Sequence, residues 1–200
     1  METFNAHTGH AVCLRRADVD TDQIVPARFC KRITKTGFAD ALFADWRGDE
    51  GFVLNDPGHA SACFLIAGPN FGIGSSREHA AWALVDYGFK AVISTGFGDI
   101  FRGNALANGL LPIRLDAVAV ARLFSLAESD ERMELTVDLG SQRVTHRSET
   151  WEFDFDRRAK RMIMAGLDEI AVNQQRCGDL GEYEAIRPRW LPNVRRSNNA

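Results

Sequence analysis

The chain has 200 residues, 45% of them hydrophobic, with 24 basic and 27 acidic side chains for a formal charge of −3. That length and apolar content suffice for one domain with a sizeable core. The slightly acidic balance argues against a nucleic-acid protein, and no run approaches the length of a membrane span. Met1-Glu2-Thr3 leads into polar sequence without a signal-like apolar core, so a cytoplasmic protein with no membrane or nucleic-acid partner is expected.

Ala11 to Leu14 reads as a short strand that runs into an acidic loop ending at Pro26. Asp18, Asp20 and Asp22 alternate there, but the glycine and the terminal glutamate of a calcium-binding EF-hand loop are missing at the required offsets. Asp22 fits an Asx-turn. Arg28 to Phe38 mixes basic and aromatic residues, the composition of a solvated loop with a few anchoring rings. Ala39 to Trp46 follows as a predicted short helix. Asp49 to Ala60, rich in Gly, Asp, Asn and Pro, is a predicted loop.

Ala62 to Ala67 (A-C-F-L-I-A) is a continuous apolar run, the pattern of a strand buried on both faces. Beyond it Ala80, Ala83, Leu84 and Tyr87 recur at helical spacing. The turn between them, G-P-N-F-G-I-G-S-S-R-E, lets backbone approach a ligand closely because Gly68, Gly72 and Gly74 carry no Cβ. Ser75-Ser76-Arg77-Glu78 fits a capping box with either serine as N-cap and Glu78 reaching back. This turn admits two roles. It is a plain helix cap, or it is an anion site, where the first N–H groups of the helix, its dipole and Arg77 draw a carboxylate or phosphate. A serine hydroxyl held in such a site loses its proton more readily than in water. The turn is no dinucleotide fingerprint or P-loop, since no third glycine and no Gly-Lys-Ser/Thr follow, and no hydrolase elbow, since Ser76 is followed by Arg77 and Glu78.

Lys90 to Thr95 is a second buried strand, which completes a parallel βαβ unit. Phe97 to Asn108 is a predicted short helix and Leu110 to Leu115 a further strand. Groups beyond the carboxyl ends of such strands gather at the site, which places Gly96 to Asp99 near the serine turn. Asp99 reads as the N-cap of its helix, with Arg102 and Asn104 open to a binding role. Asp116 to Glu128 has the spacing of a core-facing helix. Glu134 to Leu139 and Thr150 to Asp156 alternate with period two, and with Arg143 to Thr145 between them they suggest an antiparallel meander. Arg157 to Val172 is a last amphipathic helix, with Gly166 a point where it can break. Arg157, Arg158, Lys160 and Arg161 form its polar face.

Cys13, Cys30, Cys63 and Cys177 are isolated, without a C-x-x-C pair, and the five histidines form no ligand spacing beyond His7 and His10. No metal is assigned to this chain. A metal that the chemistry requires would be brought by another chain.

Four stretches together resemble a known family. They are Asp18-Val-Asp-Thr-Asp-Gln-Ile-Val-Pro26, Thr36-Gly-Phe38, Gly74-Ser-Ser-Arg-Glu-His-Ala80 and Phe97-Gly-Asp-Ile-Phe-Arg-Gly-Asn104, in order along the first 170 or so residues. The chain resembles the small subunit of 3-isopropylmalate dehydratase, the leucine-pathway isomerase of the aconitase superfamily. The resemblance implies an α/β fold, the swivelling β/β/α domain with parallel βαβ elements and additional antiparallel strands, over residues 1–177. Gly178 to Ala200, with Pro188, Pro192 and three asparagines, reads from its own composition as a tail that is loosely ordered or docks on a partner. The resemblance implies a hydro-lyase acting on a small hydroxy acid, with a [4Fe–4S] cluster carried by an iron–sulfur large subunit. Carried onto this chain, Ser75 is the base, Ser76 assists binding and Arg77 pairs with a substrate carboxylate. Asp22 then faces the turn and orients Arg77 or a hydroxyl, the alternative to its Asx-turn role. Lys31, Arg32 and Lys35 are candidates for carboxylate contact, Phe29 and Ile33 for apolar contact. The small subunit of a related hydro-lyase (homoaconitase, citraconate, methylmalate or dimethylmaleate type) and a non-catalytic anion-binding module are the alternatives.

Overall fold

The computed structural model describes residues 2–130, 132–167, 171, 183, 185–188 and 190. The first strand, β1 (Ala6–Leu14), is longer than its apolar half predicts, because it serves two partners. Ala11 to Leu14 pair in parallel with β2 (Phe64–Ala67), and Ala6 to His10 pair antiparallel with β5 (Glu134–Asp138). The polar half, His7-Thr8-Gly9-His10, gives no buried-strand signal. Its strand character comes from the neighbour.

From β1 a seven-stranded sheet grows in both directions, in the order β4-β3-β2-β1-β5-β6-β7. β2, β3 (Ala91–Ser94) and β4 (Leu111–Arg114) continue the parallel half. β5, β6 (Arg143–His146) and β7 (Glu149–Glu152) form the expected meander. All four residues of β2 and of β3 are buried, as strands covered on both faces must be. In β2 the pleat sends Leu65 and Ala67 into one apolar cluster and Phe64 and Ile66 into the other.

Each face is covered by helices. On one side lie α2 (Glu78–Tyr87) and α3 (Asp99–Ala107), which contribute Ala80, Ala83, Leu84, Phe101 and Ala105. On the other lie α4 (Ala117–Ser129), through Ala119, Val120 and Leu123, and α5 (Arg157–Ala165), through Ile163. α4 is capped by Asp116 and α5 by Asp156, and Gly166 ends α5. Most of the tail expected over 178–200 lies outside the described residues. No described helix is long and apolar enough to cross a membrane.

Two expectations are corrected. Ala39 to Trp46 forms successive turns ahead of a short 3-10 segment, Trp46–Gly48, and no helix. Phe43 has a φ of 50°, which breaks any helical run, and its ring is fully buried. Core packing of one aromatic outweighs helix propensity there. The loop after Asp18 holds one helical turn, α1 (Thr21–Ile24), closed by a capping box between Asp20 and Gln23.

Candidate active site

The carboxyl ends of β1, β2 and β3 bring three segments together. Residues 16–22 knit to the glycine turn through Asp18 N to Pro69 O at 2.9 Å, Gly72 N to Val19 O at 2.7 Å and Thr21 N to Ile73 O at 3.0 Å. Asn70 Nδ2 donates to Asp18 Oδ1 at 2.7 Å. From β3, Phe71 N donates to Gly96 O and Gly98 N to Phe71 O, both at 3.0 Å. The placement of Gly96 to Asp99 beside the serine turn is therefore met. Gly72 is required at its position: its φ is +75°, and a Cβ there would lie 2.3 Å from Cγ of the buried Phe101.

The serines do not cap α2. Its N-cap is Arg77, in an extended conformation with φ −130° and ψ 105°, and no side chain closes the helix end. A box built on Ser75 needs Glu78 at the third helical position, whereas Glu78 is the first. Glu78 instead accepts from Asn108 Nδ2 at 2.9 Å. Ser75 and Ser76 are exposed, with their hydroxyls clear of capping duty beside a helix end whose first N–H groups lack a side-chain acceptor. α3 likewise starts from Gly98 rather than Asp99, with no side-chain cap.

Arg77 Nη1 donates to Asp22 Oδ1 across the mouth of this turn, with Val25 O at 3.5 Å. The guanidinium holds the Asp22 carboxyl below the usual carboxylate range, chiefly by that hydrogen bond, and Asp22 in turn raises Arg77. Among the described residues no hydrogen bond engages Nη2 or Nε, in a side chain that is 18% exposed, and the guanidinium keeps its charge.

The 28–38 loop docks on α2. Phe38 is buried, its amide donates to Asp86 Oδ2 at 2.8 Å, and its ring meets His79 and Trp82 edge-on or tilted at 5.3 and 5.7 Å. Arg32 is committed to Asp40 by two bonds of 2.7 Å and to Gly37 O at 2.6 Å, with Phe29 and Phe38 under its guanidinium. Lys35 Nζ stands 5.7 Å from the Trp82 ring centre. Lys31 and Ile33 are exposed, Ile33 completely. Beside the serine turn, rather than on it, a groove of about 840 Å³ is lined by Asn70, Gly96, Asp99, Arg102 and Arg114 among others. Arg102 lines it and Asn104 does not.

Residues 1–118 match the family described as the aconitase C-terminal domain. The 3-isopropylmalate dehydratase small subunits of Salinispora arenicola and Frankia alni are 52% and 54% identical to this chain over 194 residues, covering 97% of it and all of each relative. This chain belongs to the family of 3-isopropylmalate dehydratase small subunits. A crystal structure of 3-isopropylmalate dehydratase from Methanocaldococcus jannaschii shares its fold with a TM-score of 0.67 at 26% identity, over 88% of this chain and 98% of that one.

Iron–sulfur clusters are held by thiolates, and burial pushes the Cys13 thiol up to about 12 and raises Cys63 as well. Among the described residues no three His, Cys, Asp or Glu side chains gather as a metal site.

Two supporting groups escaped sequence reasoning. Ser94, fully buried, places Oγ 2.7 Å from Gly68 O and 2.9 Å from Gly96 O, bridging the ends of two site loops. Asn108 joins Glu78 of α2 to Trp82 Nε1, which donates to Asn108 Oδ1 at 3.1 Å. A polar Ser94 closing an apolar strand was the one available signal; Asn108 offered none.

Proposed function

We propose that this chain is the small subunit of a 3-isopropylmalate dehydratase. It converts 2-isopropylmalate to 3-isopropylmalate by removing and returning water in leucine biosynthesis, acting in the cytoplasm with an iron–sulfur large subunit. Residues 1–177 form the swivelling domain, and 178–200 its tail. The carrying observation is the Arg77–Asp22 pair beside two exposed serines at an open helix end.

The reaction removes a proton next to a carboxylate and a hydroxyl from the neighbouring carbon. The [4Fe–4S] cluster lies with the large subunit, and this chain supplies the proton and carboxylate chemistry. The Ser75 Oγ alkoxide takes the carbon-bound proton and becomes a hydroxyl, and the C–H electron pair becomes the alkene bond as the substrate hydroxyl departs as hydroxide. Returning that proton from Ser75 to the carbon that lost the hydroxyl, while hydroxide adds to the carbon that lost the proton, gives the isomer and restores the alkoxide. A serine with an ordinary alcohol pKa is a poor base at neutral pH, so its alkoxide needs donors and exclusion of water. The uncapped N–H groups of α2 supply the first and the partner's surface the second.

Arg77 fits a substrate carboxylate with the unengaged edge of its fork, Asp22 fixing the other edge, while Ser76 assists. Lys31 offers a second, exposed cation from the loop. Arg32, already holding Asp40, reaches substrate only by sharing its guanidinium. The test is anaerobic turnover of 2-isopropylmalate by this chain with the cluster-loaded large subunit from the same source, each chain alone as control. Turnover is expected in the mixture only. A silent, cluster-loaded mixture removes the substrate assignment, and citraconate, homocitrate and 2-methylmalate then test the hydro-lyase class.

A further inference from the structure

The serine turn is held from beneath by a side chain the proposed chemistry leaves unused. Thr21, the first residue of α1, is 2% exposed, and its Oγ1 donates to the carbonyl oxygen of Ser75 at 2.9 Å. Its amide donates to the carbonyl of Ile73 at 3.0 Å. Both bonds of one residue thus span Ile73, Gly74 and Ser75. Gly74 sits between them with a φ of +90°, where a glycine backbone has little preference of its own and an outside tie decides its conformation.

The hydroxyl is not there by default. Burying it is costly unless it is bonded, and of the buried polar side chains Thr21, Ser94 and His146, Thr21 is the one bonded to Ser75. The next residue, Asp22, holds the Arg77 guanidinium. One helical turn therefore carries, on consecutive positions, the tie to the Ser75 backbone and the tie to the cation.

We infer that Thr21 is a positioning residue for the proton transfer: its buried hydroxyl fixes the Ser75 backbone and so sets where Ser75 Oγ stands relative to Arg77. This rests on Ser75 being the base. A misplacement on the ångström scale lowers the rate of a positioned step far more than it weakens binding.

The test uses the complex with the cluster-loaded large subunit. Thr21→Val keeps shape and removes the donor, Thr21→Ser keeps the donor, and Ser75→Ala is measured alongside. Thr21→Val is expected to lower kcat about 10- to 100-fold with KM within about twofold, and Thr21→Ser to recover most of the loss. If Thr21→Val fails to assemble with the large subunit, Thr21→Ala carries the same comparison. Parent kcat in Thr21→Val with Ser75→Ala impaired overturns the positioning role alone. A loss confined to KM, or one that Thr21→Ser shares in full, overturns it too. Parent activity in Ser75→Ala overturns the base and the positioning role together.

Discussion

Arg77 Nη1 donates to Asp22 Oδ1 although the two residues stand 55 positions apart in the chain. The pair ties the head of α2 to α1 with the cation sheltered and the carboxylate wet, since their side chains are 18% and 52% exposed. Its strength is therefore set by the protonation of Asp22.

Acid dissolves this tie. The hydrogen bond from Arg77 lowers the Asp22 pKa, so the folded state holds that proton less tightly than the unfolded chain. The pair's contribution is complete above the unfolded carboxylate value of about 4 and is lost as pH falls through the lowered folded value. With half of the carboxylate in water, Asp22→Asn is expected to cost at most about 1 kcal/mol at pH 7. Urea unfolding of parent and variant from pH 7 downward should show that gap closing in acid; a gap constant with pH contradicts the pair.

Ser75→Ala is expected to lower kcat about 10²- to 10⁴-fold, the usual contribution of a general base. Assembly with the large subunit should be unchanged, because the Ser75 side chain is exposed and caps nothing. Anaerobic turnover and size-exclusion of the mixed subunits check the two halves.

Gly72→Ala strikes the floor of the turn. The new Cβ meets Phe101 at 2.3 Å and the residue is held at φ +75°, so strain and overpacking together should cost about 2–5 kcal/mol. Urea denaturation measures this directly, and a midpoint equal to the parent's would show that the turn relaxes around the methyl group.

Asp86→Ala removes the acceptor that fixes the 28–38 loop to α2 through the Phe38 amide. A buried amide without a partner costs about 1–3 kcal/mol, so the loop should open more often. Hydrogen exchange at Phe38 is expected to accelerate, with KM rising more than kcat falls. Unchanged exchange would mean that the Phe38 ring alone holds the loop.

Where a segment's environment follows from its own neighbours, the fold was legible. F-L-I-A and A-V-I-S carry the pattern of strands covered on both faces, and Ala80, Ala83 and Leu84 mark the buried side of α2. Gly166 ends its helix where its lack of a Cβ permits. At the site, the glycines, serines and Arg77 were visible as a strand-to-helix turn. The capping box was a misreading with a local cause, since the same four residues fit a cap if the helix begins two positions earlier.

By itself, then, the sequence determined the βαβ unit, the meander and which residues crowd the turn, because short-range periodicity and glycine chemistry act within a few residues. Tertiary structure alone decided that β1 serves two sheets' worth of partners, that Phe43 takes a left-handed backbone to bury its ring, and that Arg32 is spent on Asp40. It also decided that Thr21 and Asp22 face Ser75 and Arg77. Those relations join residues far apart in the chain, and only the packing of the sheet and its helices brings them within hydrogen-bonding distance.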